Sequence, residues 1–202
     1  MTPMPPQGAP PKSNQNLVLI IVLAVGGLSL LCCVGTLAAI AVPNFLKFGA
    51  RSKQAEAKYN LKSAFTAEKS WMAERDTYSE SVEEIGFAPE RSNRYSYFFS
   101  KSINPLLTGS PDGGQHTGVA VDPRMGVGPA ATLYAGISPA LISELGLRGK
   151  CPESCNITIV AAGNLDGDAT IDLWSISTED RIIDGAKVLA GQPYNHVDDT
   201  RN

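Results

Sequence analysis

Charge is scarce in this sequence and, over one long stretch, almost absent. Only 18% of the residues are charged, acids outnumber bases by 20 to 17, and the net charge is −3. Such a balance offers no basic field for nucleic acid. Histidine occurs twice, at 116 and 196, each time in a polar, loop-like setting where a solvated ring is expected. Neither has a Ser, Cys or carboxylate at a recognisable catalytic spacing. Zinc-binding and phosphate-cradling motifs are missing as well, so no enzyme and no small-molecule substrate is evident. Between Lys12 and Lys47 the chain carries no ionisable side chain except the thiols of Cys32 and Cys33.

That uncharged stretch holds an apolar run over residues 17–42. At about 1.5 Å per residue it reaches roughly 39 Å, enough to cross the ~30 Å hydrocarbon core of a bilayer with some tilt. In lipid it must be helical, because open backbone groups find no partner there. The run is about twice the length of a signal-peptide core, and no small-x-small cleavage site follows it. Neither Cys32 nor Cys33 has the small preceding residue of a lipoprotein site, and both read as small apolar filler. Residues 1–16 hold five prolines in the first eleven positions and read as a disordered, partly polyproline tail.

Beyond Pro43, which is placed to kink a helix, the chain becomes rich in Ala, Lys and Glu. Ala57, Leu61, Ala64, Phe65 and Met72 recur at helical spacing, widened by Ala67 and Trp71. One apolar stripe on a charged helix over 43–76 follows, ending at Asp76-Thr77 and lying across a sheet. The period then changes. Alternation at 95–100, 157–159 and 171–175 reads as strands. Residues 102–150, heavy in Gly and Pro, read as a long loop region with a short helical turn at 138–145. Asp166-Gly167 reads as a hairpin turn, and 191–202 as a docked or frayed tail.

Cys151 and Cys155 flank Pro-Glu-Ser in a polar loop. They are expected as a disulfide, which implies an oxidising compartment, against free thiols; Cys-x3-Cys without a second pair is a weak metal signal. Asn164, Asp166, Asp168 and Asp172 place several hard oxygen donors on one turn and are a candidate Ca²⁺ set, although an Asp-Gly hairpin accounts for the same residues.

The order of elements suggests a pilin-like α+β architecture, and particular residues make it specific. GTLAAIAVPNFLKF at 35–48, ARSKQAEAK at 50–58, NLK at 60–62, TAEKS at 66–70 and DTYS at 76–79 resemble the long helix of type IV pilins. EIGFAPERSNRY at 84–95, together with 151–155, 163–174 and 193–195, is similar to the major pilins of myxobacteria and their relatives. The resemblance covers 35–100 and 150–200. It implies a long helix packed on an antiparallel sheet of about four strands, with 77–202 as the globular part. It also implies assembly with other pilin or pseudopilin subunits through helix positions such as Gly35, Ala39, Pro43 and Phe45.

One departure is expected to matter. Type IV prepilins carry a Gly, then a Phe-like residue and a Glu at the start of the mature helix, the motif of the prepilin peptidase. The corresponding positions here are Ile21, Val22 and Gly26. The expectation is therefore a pilin-like, single-pass inner-membrane protein, either a pilus subunit or an accessory of the type IV pilus or type II secretion machinery. Lys47, Arg51 and Lys53 by themselves would place the C-terminal domain in the cytoplasm. The family pattern and the cysteine pair place it in the periplasm, or on the cell surface if processed. A second reading is a membrane-tethered Ca²⁺- or ligand-binding module on the same fold.

Overall fold

The computed structural model describes residues 15–103, 105–106, 114–125 and 129–200. The proline-rich tail, apart from its last two residues, lies outside them, as does part of the stretch at 102–150. Two compact units divide the chain, Met1–Leu46 and Lys47–Asn202.

Helix α1 is assigned over Gln15–Arg75, 61 residues, and Pro43 does not end it. In the first unit the segment Val18–Val42 is long and apolar enough to cross a membrane, and it is exposed among the described residues. At the other end, Asp76 adopts φ 55 and its N–H donates to Met72 O at 3.0 Å. Asp tolerates that left-handed conformation better than most residues, and it stops the helix.

Within the second unit the core has two sides. Strands β1 (Tyr95–Phe98), β2 (Pro105–Leu106), β3 (Gly118–Val119), β4 (Gly146–Arg148), β5 (Asn156–Gly163), β6 (Asp172–Ser177) and β9 (Tyr194–Val197) form one sheet, ordered β2-β3-β1-β5-β6-β9. Strand β4 pairs with the outer end of β5, Arg148 opposite Asn156. All pairings are antiparallel except β2 with β3. Strands β7 (Arg181–Ile183) and β8 (Ala186–Val188) make a separate hairpin. The expected four-strand sheet is therefore too small. The missing strands come from segments of two to four residues, too short to show a period.

Alternating side chains explain the two sides. Tyr95, Tyr97, Phe99, Ile159, Ala161, Trp174 and Ile176 pack in one cluster with Ala57, Leu61 and Ala64 of α1. Phe98, Val160, Ala162 and Leu173 enter a second cluster with Ala130, Leu133 and Leu141. The latter residues belong to α2 (Ala130–Ala135) and α3 (Pro139–Glu144), both inside the stretch expected to be loop. Residues 102–150 thus supply a covering layer. Helix α3 does fall at the expected helical turn, with Ser138 Oγ accepting from Leu141 N and Pro139 at the first position, where its missing N–H is harmless.

The α1 stripe also differs from a purely apolar one. Gln54, Asn60 and Glu68 are buried beside Ala57, Leu61 and Ala64, while Met72 and Phe65 are only partly covered. The C-terminal segment is docked: β9 pairs with β6, and Gly191, at φ 76, lies so close to Phe65 that a Cβ would sit 2.9 Å from its ring.

Candidate functional site

Three places in the chain concentrate chemistry or exposed apolar surface. The first is the apolar half of α1. Leu28, Leu31 and Leu37 are about 70% exposed (72%, 72% and 68%), and Gly35 and Ala39 are exposed on the same helix. A Cβ added at Gly35 would meet nothing within 4 Å, so a neighbouring backbone can approach closely there. Phe45 is 74% exposed, and Pro43 continues the helix between it and Ala39.

The second is a buried polar hub on Asp172, which is 0% exposed. Its Oδ1 accepts from Gln54 Nε2 at 2.8 Å, Asn195 Nδ2 at 3.2 Å and Asp199 N at 3.2 Å. Its Oδ2 accepts from Tyr95 Oη at 2.6 Å and Trp174 Nε1 at 2.5 Å. Five donors from α1, β1, β6, β9 and the segment after it meet on one carboxylate. That many donors satisfies a buried anion and fixes where α1 lies on the sheet.

The third is the turn between β5 and β6. Asn164 Oδ1 accepts from Gly167 N and its Nδ2 donates to Asp168 O, both at 2.6 Å. Gly167, at φ 87, takes the left-handed position that the turn requires. The carboxylates of Asp166, Asp168 and Asp199 each offer an oxygen within 4.8 Å of the others. The candidate set read from the sequence is thereby changed. Asp172 stands in the hub, engaged by hydrogen-bond donors, and its place in the acidic group is taken by Asp199, 33 positions after Asp166 and invisible to local spacing. Asp199 is 2% exposed; its Oδ2 accepts from Leu165 N at 2.9 Å, and its Oδ1 has no partner among the described residues. Burial, then the neighbouring carboxylates of Asp166, Asp168 and Asp172, push its carboxyl above the usual range.

Cys151 and Cys155 form a disulfide, Cα to Cα 4.8 Å, in the connection between β4 and β5. Both histidines depart from the solvated setting expected of them. His116 is 5% exposed, and its Nδ1 lies 2.7 Å from Glu83 Oε1. His196 Nε2 lies 2.7 Å from Ser175 Oγ, a pairing that loop composition could not show. Burial first, and Arg181 second, hold the His196 imidazole down to about 4. Ser175 is fully buried and also accepts from Arg181 Nη2 at 2.9 Å, so this hydroxyl is closed to a substrate.

Comparison with known proteins bears on the long helix and the sheet together. The family described as type IV pilin PilA matches residues 48–108. The type IV major pilin protein PilA of Myxococcus xanthus (strain DK1622) is 36% identical over 212 aligned positions, which cover 94% of this chain and 92% of that protein. The chain belongs to the type IV pilin family. The pilin fold, a long N-terminal helix packed on a largely antiparallel sheet, accounts for α1, the sheet and the docked β9. Pilins are structural proteins. The family also implies assembly with other pilin subunits and an N-terminal helix that anchors the protein in a membrane.

Proposed function

We propose that this pilin is a structural subunit of a type IV pilus, held by Val18–Val42 in the inner membrane before assembly and joined to its neighbours through α1. The observation that carries the reading is the apolar half of α1, which is exposed among the described residues. So much exposed apolar surface needs lipid or other helices around it. Gly35, Ala39, Pro43 and Phe45 are the contacts we assign to neighbouring helices. The M. xanthus relative, matched over 92% of its length, is a major pilin, which favours the pilus over the type II secretion apparatus. The disulfide supports a periplasmic position for the unit Lys47–Asn202, since disulfides persist in oxidising compartments.

Gly26 stands where such pilins have a Glu, so the helix cannot place a carboxylate at that depth. A buried charge pair fixes register because an unpaired charge in an apolar core is costly. Register here rests instead on apolar packing. The test is to shear cells, separate filaments from inner membrane, and measure the intact mass of the chain in each fraction. A subunit is recovered in the filaments. Recovery only in the inner membrane, from cells that do make filaments, would overturn the subunit reading and leave a permanently anchored accessory.

A further inference from the structure

We propose that a basic stripe on α1 docks against the acidic segment 74–90 of a second copy of this chain. The proposal rests on the subunit reading above, which sets copies of α1 side by side. Arg51, Lys58, Lys62 and Lys69 follow one another at 7, 4 and 7 positions, and all four are exposed. On a helix of 3.6 residues per turn they fall within about 40° of one another, in a line roughly 27 Å long. None of the four has a carboxylate partner among the described residues, whereas Arg94, Arg148, Arg181 and Lys187 pair with Glu56, Glu179, Glu144 and Asp180. Lys58 Nζ lies 4.8 Å from the centre of the Trp174 ring, and Lys69 Nζ 6.0 Å from that of Tyr78. These rings steady the two ammonium groups and leave their charge uncancelled. Like charges four apart on a helix repel, as Lys58 and Lys62 do, so the single chain gains nothing from the pattern.

Packing among copies strips water from such a stripe, and a cation left there without a partner is costly. The neighbour must bring carboxylates. The chain carries them directly after the stripe: Glu74, Asp76, Glu80, Glu83, Glu84 and Glu90 stand in 74–90 against one base, Arg75. The guanidinium of Arg75 is folded onto Trp71, 5.1 Å from its ring centre. Glu74, Glu84 and Glu90 are exposed, and none of them has an ion-pair partner among the described residues. Within one chain the two patches succeed each other along the helix and do not face one another. A second copy displaced along the helix axis brings them opposite; Lys69 and Glu74 are about 8 Å apart along it and Arg51 and Asp76 about 38 Å, which bounds the displacement. Unlike patches on one chain make a head-to-tail contact, and such contacts repeat into open filaments where a two-fold contact would close a dimer. The pairs add an ionic register to the apolar packing of a helix that has Gly26 in place of an acid.

The experiment compares the unmodified full chain in cells with Arg51→Glu/Lys62→Glu, with Glu74→Lys/Glu90→Lys, and with all four changes together. Every changed position is exposed, and near-ultraviolet circular dichroism of each chain in detergent checks its fold. Each double variant is expected to lower recovery in sheared filaments by about tenfold or more, because like charges then meet. The fourfold variant is expected to regain most of that loss. Normal assembly of either double variant overturns the proposal, as does a fourfold variant that assembles no better than the doubles. Carbodiimide, which joins an ammonium to a carboxylate in contact with it, is applied in parallel to filaments and inner membrane. Covalent dimers linked from Lys58, Lys62 or Lys69 to a carboxylate of 74–90 are expected, and their absence, or links from the stripe to another protein only, overturns the docking. An unmodified chain found only in the inner membrane defeats the subunit reading instead, and the dimers formed there then decide the docking by themselves.

Discussion

Glu68 shows what a single side chain can do inside a helix stripe. It is 0% exposed, its Oε2 accepts from Ser79 N at 3.2 Å, and its Oε1 has no partner among the described residues. Burial, with Glu80 and Glu84 adding like charge, raises its carboxyl from 4.5 to about 8. The folded state thus holds a proton that the unfolded chain releases near pH 4.5. The stabilisation is fully present below that pH and is lost as pH rises towards 8. Urea unfolding of Glu68→Gln, which cannot ionise, is expected to show a smaller fall in midpoint between pH 5 and 8 than the unmodified chain. Equal falls would remove Glu68 as the source. The sequence placed no special weight on Gln54, Asn60 or Glu68, because a polar residue on a helix is normally solvated. Only the partners that reach them from distant segments, such as Tyr97 Oη at 2.8 Å from Asn60 Nδ2, make their burial tolerable. His196 was hidden for the same reason, since its partner Ser175 lies on another strand.

At the scale of elements, α1 was legible through its period. Ala57, Leu61 and Ala64 were expected on one face and all are 0% exposed. Leu61→Ala should therefore destabilise the fold by about 2–5 kcal/mol. Tyr59→Ala, on a residue 72% exposed, should fall within about 0.5 kcal/mol. Chemical denaturation of the two variants checks the contrast. The Cys151–Cys155 link closes a loop of sequence separation 4, so its effect on unfolded-chain entropy is at the small end, about 2 kcal/mol. Denaturation of Cys151→Ser/Cys155→Ser should show a loss of that order without loss of the fold. The sheet was only partly legible. Tyr95, Tyr97 and Phe99 gave one strand by alternation, but alternation does not show what covers the positions between them. Phe98 is 1% exposed and Ser96 0%, because α2 and α3 cover that side. Ser96 Oγ accepts from Val121 N at 3.1 Å, which lets a polar residue stay there.

For the molecule as a whole, the two units predict different solution behaviour. Lys47–Asn202 contains both core clusters, so a protein of residues 47–202 is expected to be a folded monomer without detergent, whereas the full chain requires it. Size-exclusion chromatography with near-ultraviolet circular dichroism checks this, and a molten or aggregated fragment would contradict it. Sequence alone determined the apolar segment, the amphipathic helix, the central strands and the kinship with type IV pilins. The first three are written in composition or in a local period and the kinship in runs of residues that resemble the family, none of which needs knowledge of where distant segments meet. Tertiary structure decided the role of residues 102–150 as a second layer, the hub on Asp172 and the entry of Asp199 into the acidic group at the β5–β6 turn. Those depend on contacts between residues tens of positions apart, and chain folding sets such contacts through burial and hydrogen bonding, not through spacing along the chain.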